Sequence, residues 1–289
     1  MLKHLIVTHH APDLDAVGAV WMLKRFDAQH YADAQVTFVD PGQQISPSEA
    51  ERLGFQMHQV THVDTGLGEF DHHQEERGHQ HVCATSLVFE HICKIHPEEK
   101  NNKALQYIAD FATDIDHFGE INWPEPNSPR YSFMVHELLS GFESVDPHND
   151  DSQLHFGMQC LDSAYASLTE SFEAETEMQK GETFETKWGK CLGIETRNDQ
   201  VLKYAQRQGY ALVIRKDPKT GEMRIKARPD TEIELKKLYE EILKLDQVGN
   251  WFYHASGKML LNGSRKRRHQ KPTPLTLQQV VELVKKMYG

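Results

Sequence analysis

Histidine and aspartate recur together in the first half of the chain, in four segments: His9/Asp13/Asp15, Asp64, Asp71-His72-His73 and Asp114/Asp116. Imidazole and carboxylate are ligands that manganese, magnesium, cobalt and zinc accept, and none of these segments needs a cysteine. Two divalent ions that share a carboxylate stand about 3.5–4 Å apart, lower the pKa of a bridging water and neutralise charge on a phosphoryl group. The residue types therefore suit metal-assisted hydrolysis. Taken singly, Asp13 or Asp15 could do no more than cap a helix at its positive end. Four such segments in register argue against capping as the whole explanation.

The segments fall at the ends of the elements that the pattern predicts. Leu5-Ile6-Val7 reads as a short buried strand, and Leu14 to Phe26 as a helix with Leu14, Val17, Val20, Trp21 and Leu23 at helical spacing. In an open α/β sheet that junction is where ligands collect. Gln35 to Val39 is a second strand, and Ser46-Pro47-Ser48-Glu49 is a capping box with proline at the first helical position. Phe55 to Val63 is a third strand, ending at Asp64. Helices are expected at Thr85 to Ile95, Lys103 to Phe118 and Tyr131 to Leu139, and a sustained helical pattern runs from Gln153 to about Glu185. Such alternation implies an α/β fold whose mostly parallel sheet carries helices on its faces.

Farther on, a strand at Gly193 to Thr196, a helix at Gln200 to Gln208 and a hairpin from Tyr210 to Arg228 predict a smaller α/β domain. A helix at Glu232 to Leu245, strands within Trp251 to Leu261 and a closing helix at Thr276 to Met287 complete it. The expected division is a metal-binding domain over residues 1–150, a connecting helix over 151–186 and a second domain over 187–289. The active site is expected in the cleft between the domains.

A chain of 289 residues with 38% hydrophobic content has enough apolar material for a folded core. Its net charge of −11 argues against bulk coating of nucleic acid, although a local basic patch can still serve. The four cysteines, Cys83, Cys93, Cys160 and Cys191, include no C-x-x-C pair and read as reduced thiols of a cytoplasmic protein. No apolar run approaches a membrane span, and Met1-Leu2-Lys3-His4 lacks the layout of a signal peptide.

His9-x-x-Pro12-Asp13-x-Asp15-Ala16 together with Asp71-His72-His73 resembles the DHH phosphoesterase superfamily, which is named for that triplet. Asp64 matches its isolated second-motif aspartate, and Asp114 to Gly119 its fourth motif. The superfamily includes RecJ-type exonucleases, nano-RNA and cyclic-dinucleotide phosphodiesterases, exopolyphosphatases and manganese pyrophosphatases. The resemblance implies two divalent ions, Mn²⁺ first, with Mg²⁺, Co²⁺ or Zn²⁺ as alternatives. It implies that His9 and Asp13 hold one ion, that Asp15, His72 and Asp116 hold the other, and that Asp64 bridges both. His73 would contact the scissile phosphate. Asp116 is preferred to Asp114, and His10 is read as outside the ligand set. Asp15→Ala is expected to abolish hydrolysis and leave the protein folded.

The second domain resembles the superfamily less closely. His254-Ala255-Ser256-Gly257 through Gly263-Ser264-Arg265 is somewhat like the melanocyte proliferating gene branch of exonucleases, without a strict Gly-Gly-Gly-His loop. Apart from that likeness, Gly263 and Ser264 followed by Arg265, Lys266, Arg267 and Arg268 suit an anion, because glycine lets backbone N–H groups approach phosphate and arginine pairs with it. The expected substrate is a short single-stranded oligonucleotide or a dinucleotide. The alternatives are an exopolyphosphatase or pyrophosphatase and, from another class, a non-catalytic metal- or nucleotide-binding regulator. No membrane partner is expected, and a homodimer is compatible with the sequence.

Overall fold

The structure is a computed structural model that describes residues 3–263 and 269–289. It is a mixed α/β fold that divides into two compact units, Met1–Ser167 and Leu168–Gly289.

The first unit is built on a three-stranded parallel sheet of order β2-β1-β3. Its strands are β1 (Leu5–His9), β2 (Gln35–Val39) and β3 (Val60–His62). Leu5, Ile6 and Val7 are wholly buried, as a central parallel strand covered on both faces requires. Helix α1 (Leu14–Phe26) is buried without a break from Leu14 to Leu23, so it lies inside the unit and not on its surface. Two short helices follow, α2 (Ala28–Tyr31) and α3 (Pro47–Arg52), and α3 starts in the expected capping box. Next come α4 (Ala84–Ile95), α5 (Lys103–Asp116) and α6 (Val135–Val145). The long helix α7 (Asp150–Met178) begins in this unit and ends in the second. Helices α1 and α4 meet closely at Gly18, where a Cβ atom would stand 2.5 Å from Thr85 Oγ1.

Several boundaries differ from the sequence pattern. A 3-10 turn at Met57–Gln59 takes the front of the third expected strand. Helix α5 stops at Asp116, and Phe118 then adopts a left-handed backbone with φ of 57°. Proline starts a 3-10 turn at Pro129–Phe133, which delays α6 to Val135. The largest difference is at the end of the long helix. The pattern carries it to about Glu185, but it ends at Met178, and Glu182–Thr186 forms strand β4 with Phe184 and Thr186 turned inward. Two-residue alternation overrides the helical preference of the surrounding glutamates there.

The second unit is a six-stranded sheet of order β4-β5-β6-β7-β9-β8. It comprises β4, β5 (Gly189–Glu195), β6 (Leu212–Lys216), β7 (Met223–Ala227), β8 (Trp251–Tyr253) and β9 (Met259–Asn262). β5 and β6 pair in parallel across helix α8 (Gln200–Arg207), and the other described pairs are antiparallel. Residues of α9 (Lys236–Leu245) and α10 (Leu277–Tyr288) share one apolar cluster with the sheet; residues of α7 and α8 share another. Among the described residues, no helix is long and apolar enough to cross a membrane.

Candidate metal centre

His9 closes β1, and both of its ring nitrogens are engaged. Nδ1 donates to the His10 carbonyl at 2.8 Å, while Nε2 lies 3.1 Å from Asp64 Oδ2. A backbone acceptor on one ring nitrogen fixes the tautomer and aims the other at a ligand, which is how metal-binding imidazoles are held. Asp13 Oδ1 lies 4.0 Å from the same Nε2. That oxygen also accepts the Asp15 and Ala16 N–H groups at 3.0 and 3.1 Å, so Asp13 caps α1 as well as facing His9.

Asp64 follows β3 in a left-handed conformation, with φ of 54°. Its N–H donates to the Phe70 carbonyl at 2.8 Å, which ties it to the histidine-bearing loop. Asp71 organises that loop. Wholly buried, it accepts the Leu67 N–H at 2.7 Å, the His73 N–H at 3.1 Å and the His73 ring Nδ1 at 2.7 Å. Arg77 binds the Glu69 and Asp71 carbonyls from outside. The triplet's aspartate is thus a scaffold that aims the histidines. Ala11, Asp64, Leu67 and Phe118 are all non-glycine residues with positive φ beside candidate ligands, a clustering of backbone strain that accompanies functional sites.

His72 Nε2 stands among three carboxylates, 3.5 Å from Asp64 Oδ1, 3.6 Å from Asp116 Oδ2 and 3.8 Å from Asp15 Oδ2. Neither His72 Nε2 nor Asp64 Oδ1 has a hydrogen-bond partner, although both are closed to solvent. Buried polar atoms are rarely left so, because losing water without gaining a partner is costly. A gap too wide for hydrogen bonds, walled by carboxylate and imidazole, fits a divalent cation. Among the described residues, three groups bring ligand atoms within 4.8 Å of one another: His9/Asp13/Asp64, Asp64/His72/His73 and His72/Asp116/His117.

The electrostatics agree with this reading. Burial opposes a charged imidazole, yet the surrounding carboxylates push His9 and His72 up to about 9. Burial and the charge of Asp64 push the Asp15 carboxyl up to about 8. Burial would also raise Asp64, but the His72 and His9 imidazoles hold it below the usual carboxylate range. The cluster has a surplus of negative groups that takes up positive charge.

No family model matches the chain, and no curated protein matches it. Among solved structures it is similar to a DHH-domain protein described as a member of the s1p family of ribosomal proteins. The identity is 13% over 98% of this chain and 87% of that one, with a TM-score of 0.32. It is also similar to RecJ from Thermus thermophilus, solved in complex with Mn²⁺. There the identity is 11% over 91% of this chain and 50% of RecJ, with a TM-score of 0.31. The chain therefore spans about half the length of RecJ.

Asp15 belongs to none of the three ligand groups. Its two oxygens accept the Ala84 and Thr85 N–H groups at 2.7 Å each, and Thr85 Oγ1 donates to its carbonyl at 2.8 Å. It therefore caps α4, a helix distant in sequence, while its Oδ2 also faces His72. Asp114 turns elsewhere, accepting from Trp123 Nε1 at 3.1 Å. His10 pairs with Asp150 Oδ2 at 2.6 Å, and Asp150 Oδ1 also accepts the Ala11 N–H, so the start of α7 buttresses the His9 turn. Asp150 was not legible as a site residue. His117 was missed too, and its position directly after Asp116 was the available signal.

In the second unit, His254 closes the turn between β8 and β9, its Nδ1 lying 2.8 Å from Ser256 Oγ and accepting the Ser256 N–H at 3.1 Å. Gly263 has φ of +95°, and a Cβ atom on it would stand 2.2 Å from Glu222 Cγ. Close packing against a carboxylate therefore accounts for that glycine. Ser264 and Arg265, with Lys266, Arg267 and Arg268, lie outside the described residues.

Proposed function

We propose that the chain is a phosphoesterase of the DHH type, working with two divalent ions, Mn²⁺ first, on phosphodiester bonds of short single-stranded oligonucleotides or dinucleotides. The observation that carries this reading is the pair of buried, unpartnered atoms, His72 Nε2 and Asp64 Oδ1, within a ring of carboxylates. In the proposed assignment His9 and Asp13 hold one ion, Asp15, His72 and Asp116 hold the other, and Asp64 serves both. When bound, such ions lower the pKa of a water and offset charge on the phosphoryl group.

The protein's own groups set the geometry. Asp64 is fixed by its backbone bond to Phe70 and by His9, so its carboxylate stays between the two halves of the cluster. His73 is 56% exposed and is held through Nδ1 by Asp71, which leaves Nε2 as its polar atom for a phosphate oxygen. In the second unit, His254, Ser264 and Arg265 are the proposed grip on a substrate phosphate, on the strength of arginine chemistry, while Gly263 is left to its packing against Glu222. The test is to offer purified protein with Mn²⁺ labelled oligonucleotides, dinucleotides, cyclic dinucleotides, polyphosphate and pyrophosphate. Release of mononucleotides from short oligonucleotides or dinucleotides is expected. Turnover of polyphosphate alone would sink the nuclease assignment.

A further inference from the structure

His117 stands within the candidate centre without a part in the proposed assignment. Its placement follows from how α5 ends. Successive side chains on a helix point about 100° apart, so Asp116 and His117 would not face one ion on a continuing α5. The helix stops at Asp116, His117 caps it with φ of −95° and ψ of 19°, and Phe118 turns the chain in the left-handed region. His117 Nε2 then lies 3.8 Å from Asp116 Oδ2, the oxygen that also stands 3.6 Å from His72 Nε2. Donor atoms held at about 2.0–2.1 Å by a tetrahedral ion are roughly 3.4 Å apart, and both separations are close to that spacing.

The end of the histidine-bearing loop holds the ring in place. Its Nε2 donates to the Val82 carbonyl at 3.1 Å, and the His81 ring packs against it with centroids 4.6 Å apart. The His117 side chain is 31% exposed, so water can replace it at that carbonyl when Nε2 takes an ion.

With His117 included, the two halves of the centre differ in their donors. Asp64 divides them, its Oδ2 facing His9 Nε2 at 3.1 Å and its Oδ1 facing His72 Nε2 at 3.5 Å. On the His9 side one imidazole joins the carboxylates of Asp13 and Asp64. On the other side two imidazoles, His72 and His117, meet Asp116. Shells rich in carboxylate suit manganese and magnesium, whereas imidazole suits zinc.

We propose that His117 is a metal ligand, and that it makes the His72/Asp116 position a zinc site beside a manganese site at His9/Asp13. The inference rests on the two-ion reading above and replaces one of its two Mn²⁺ ions.

The test uses the full chain, stripped with EDTA and given one equivalent each of Zn²⁺ and Mn²⁺. Zinc-edge X-ray absorption counts the imidazoles on the zinc, and equilibrium dialysis with metal analysis gives the ions retained and their affinities. Wild-type protein is expected to keep one Mn²⁺ and one Zn²⁺, the zinc with two imidazoles. His117→Gln, checked for folding by circular dichroism, is expected to leave one imidazole on the zinc. Its Zn²⁺ affinity should fall by at least the roughly 10–100-fold that loss of an outer partner costs. His117→Asn takes its place if the glutamine variant does not fold. An unchanged imidazole count with unchanged affinity overturns the proposal, as does a single imidazole in wild type. Removing His72 tells this failure from failure of the two-ion reading. If His72→Gln loses an ion while His117→Gln changes neither readout, the two-ion reading stands and the role of His117 falls. Two imidazoles on the zinc of a chain that binds one ion in all, and the loss of one in His117→Gln, support His117 as a ligand and count against two ions. A chain that retains no Zn²⁺ overturns both.

Discussion

Two places in the first unit are made from the same parts, one buried aspartate between two histidines, and they differ in what they leave unpaired. Asp27, at the end of α1, accepts from His30 Nδ1 at 2.6 Å and from His91 Nε2 of α4 at 3.0 Å. Each of its oxygens has a donor. Burial would raise its pKa, but the hydrogen bonds from His91 and His30 hold it below the usual value. Asp64 lies between His9 and His72, and one oxygen and the facing His72 nitrogen find no partner. Composition does not distinguish the two. Hydrogen-bond satisfaction does: the Asp27 cluster is a complete clasp between helices, whereas the Asp64 cluster leaves a gap whose carboxylate and imidazole walls suit a cation.

The sharpest way to break this contrast is to remove one carboxylate charge from each cluster. Asp64→Asn is expected to lower phosphodiester hydrolysis by about 10³-fold. It should also abolish the rise in thermal stability on adding Mn²⁺, which for wild-type protein at a hundredfold excess over Kd amounts to about 2.7 kcal/mol. Asp27→Asn should keep hydrolysis and the Mn²⁺ response and cost about 1–3 kcal/mol in denaturant unfolding. If both variants kept the Mn²⁺ response, the Asp64 cluster would be a clasp as well.

A smaller effect concerns Asp15, for which the sequence led to the expectation that Asp15→Ala loses activity but not stability. Because its carboxylate caps α4, Asp15→Ala is expected to cost about 1–2 kcal/mol. Asp15→Asn keeps an acceptor and should lose less. The two melting temperatures are expected to differ by about 2–4 °C, and equal melting would remove the cap from the account.

The smallest effect is the acid side of the Asp27 clasp. A carboxylate whose folded pKa lies below its unfolded value of about 3.9 contributes stability above that value and loses it as pH falls through the folded one. Wild-type stability is therefore expected to fall more steeply than that of Asp27→Asn below about pH 4. Parallel unfolding curves over that window would show that the histidines contribute nothing there.

The histidines and aspartates that meet in the candidate centre stood out in the sequence because they cluster at element ends, where two-residue and helical periodicities break off. The capping box of α3 and the limits of α1 were legible for the same reason, each resting on local chemistry. The cap that Asp15 places on α4 was not, since its partners are distant in sequence and any helix start will take an acidic residue. Nor was the scaffold role of Asp71, which depends on the left-handed turn at Leu67. The Glu-rich end of α7 misled because glutamate favours helix locally, while Phe184 and the second sheet set the outcome.

The double engagement of Asp15 bears on how a lineage of such chains would decay. A descendant released from catalysis would still need Asp15 to hold α4 against α1, so its retention would say little about activity. The side chain of Asp64 has no comparable structural duty, and its left-handed backbone suits asparagine or glycine at least as well. Position 64 is therefore where disuse would show first.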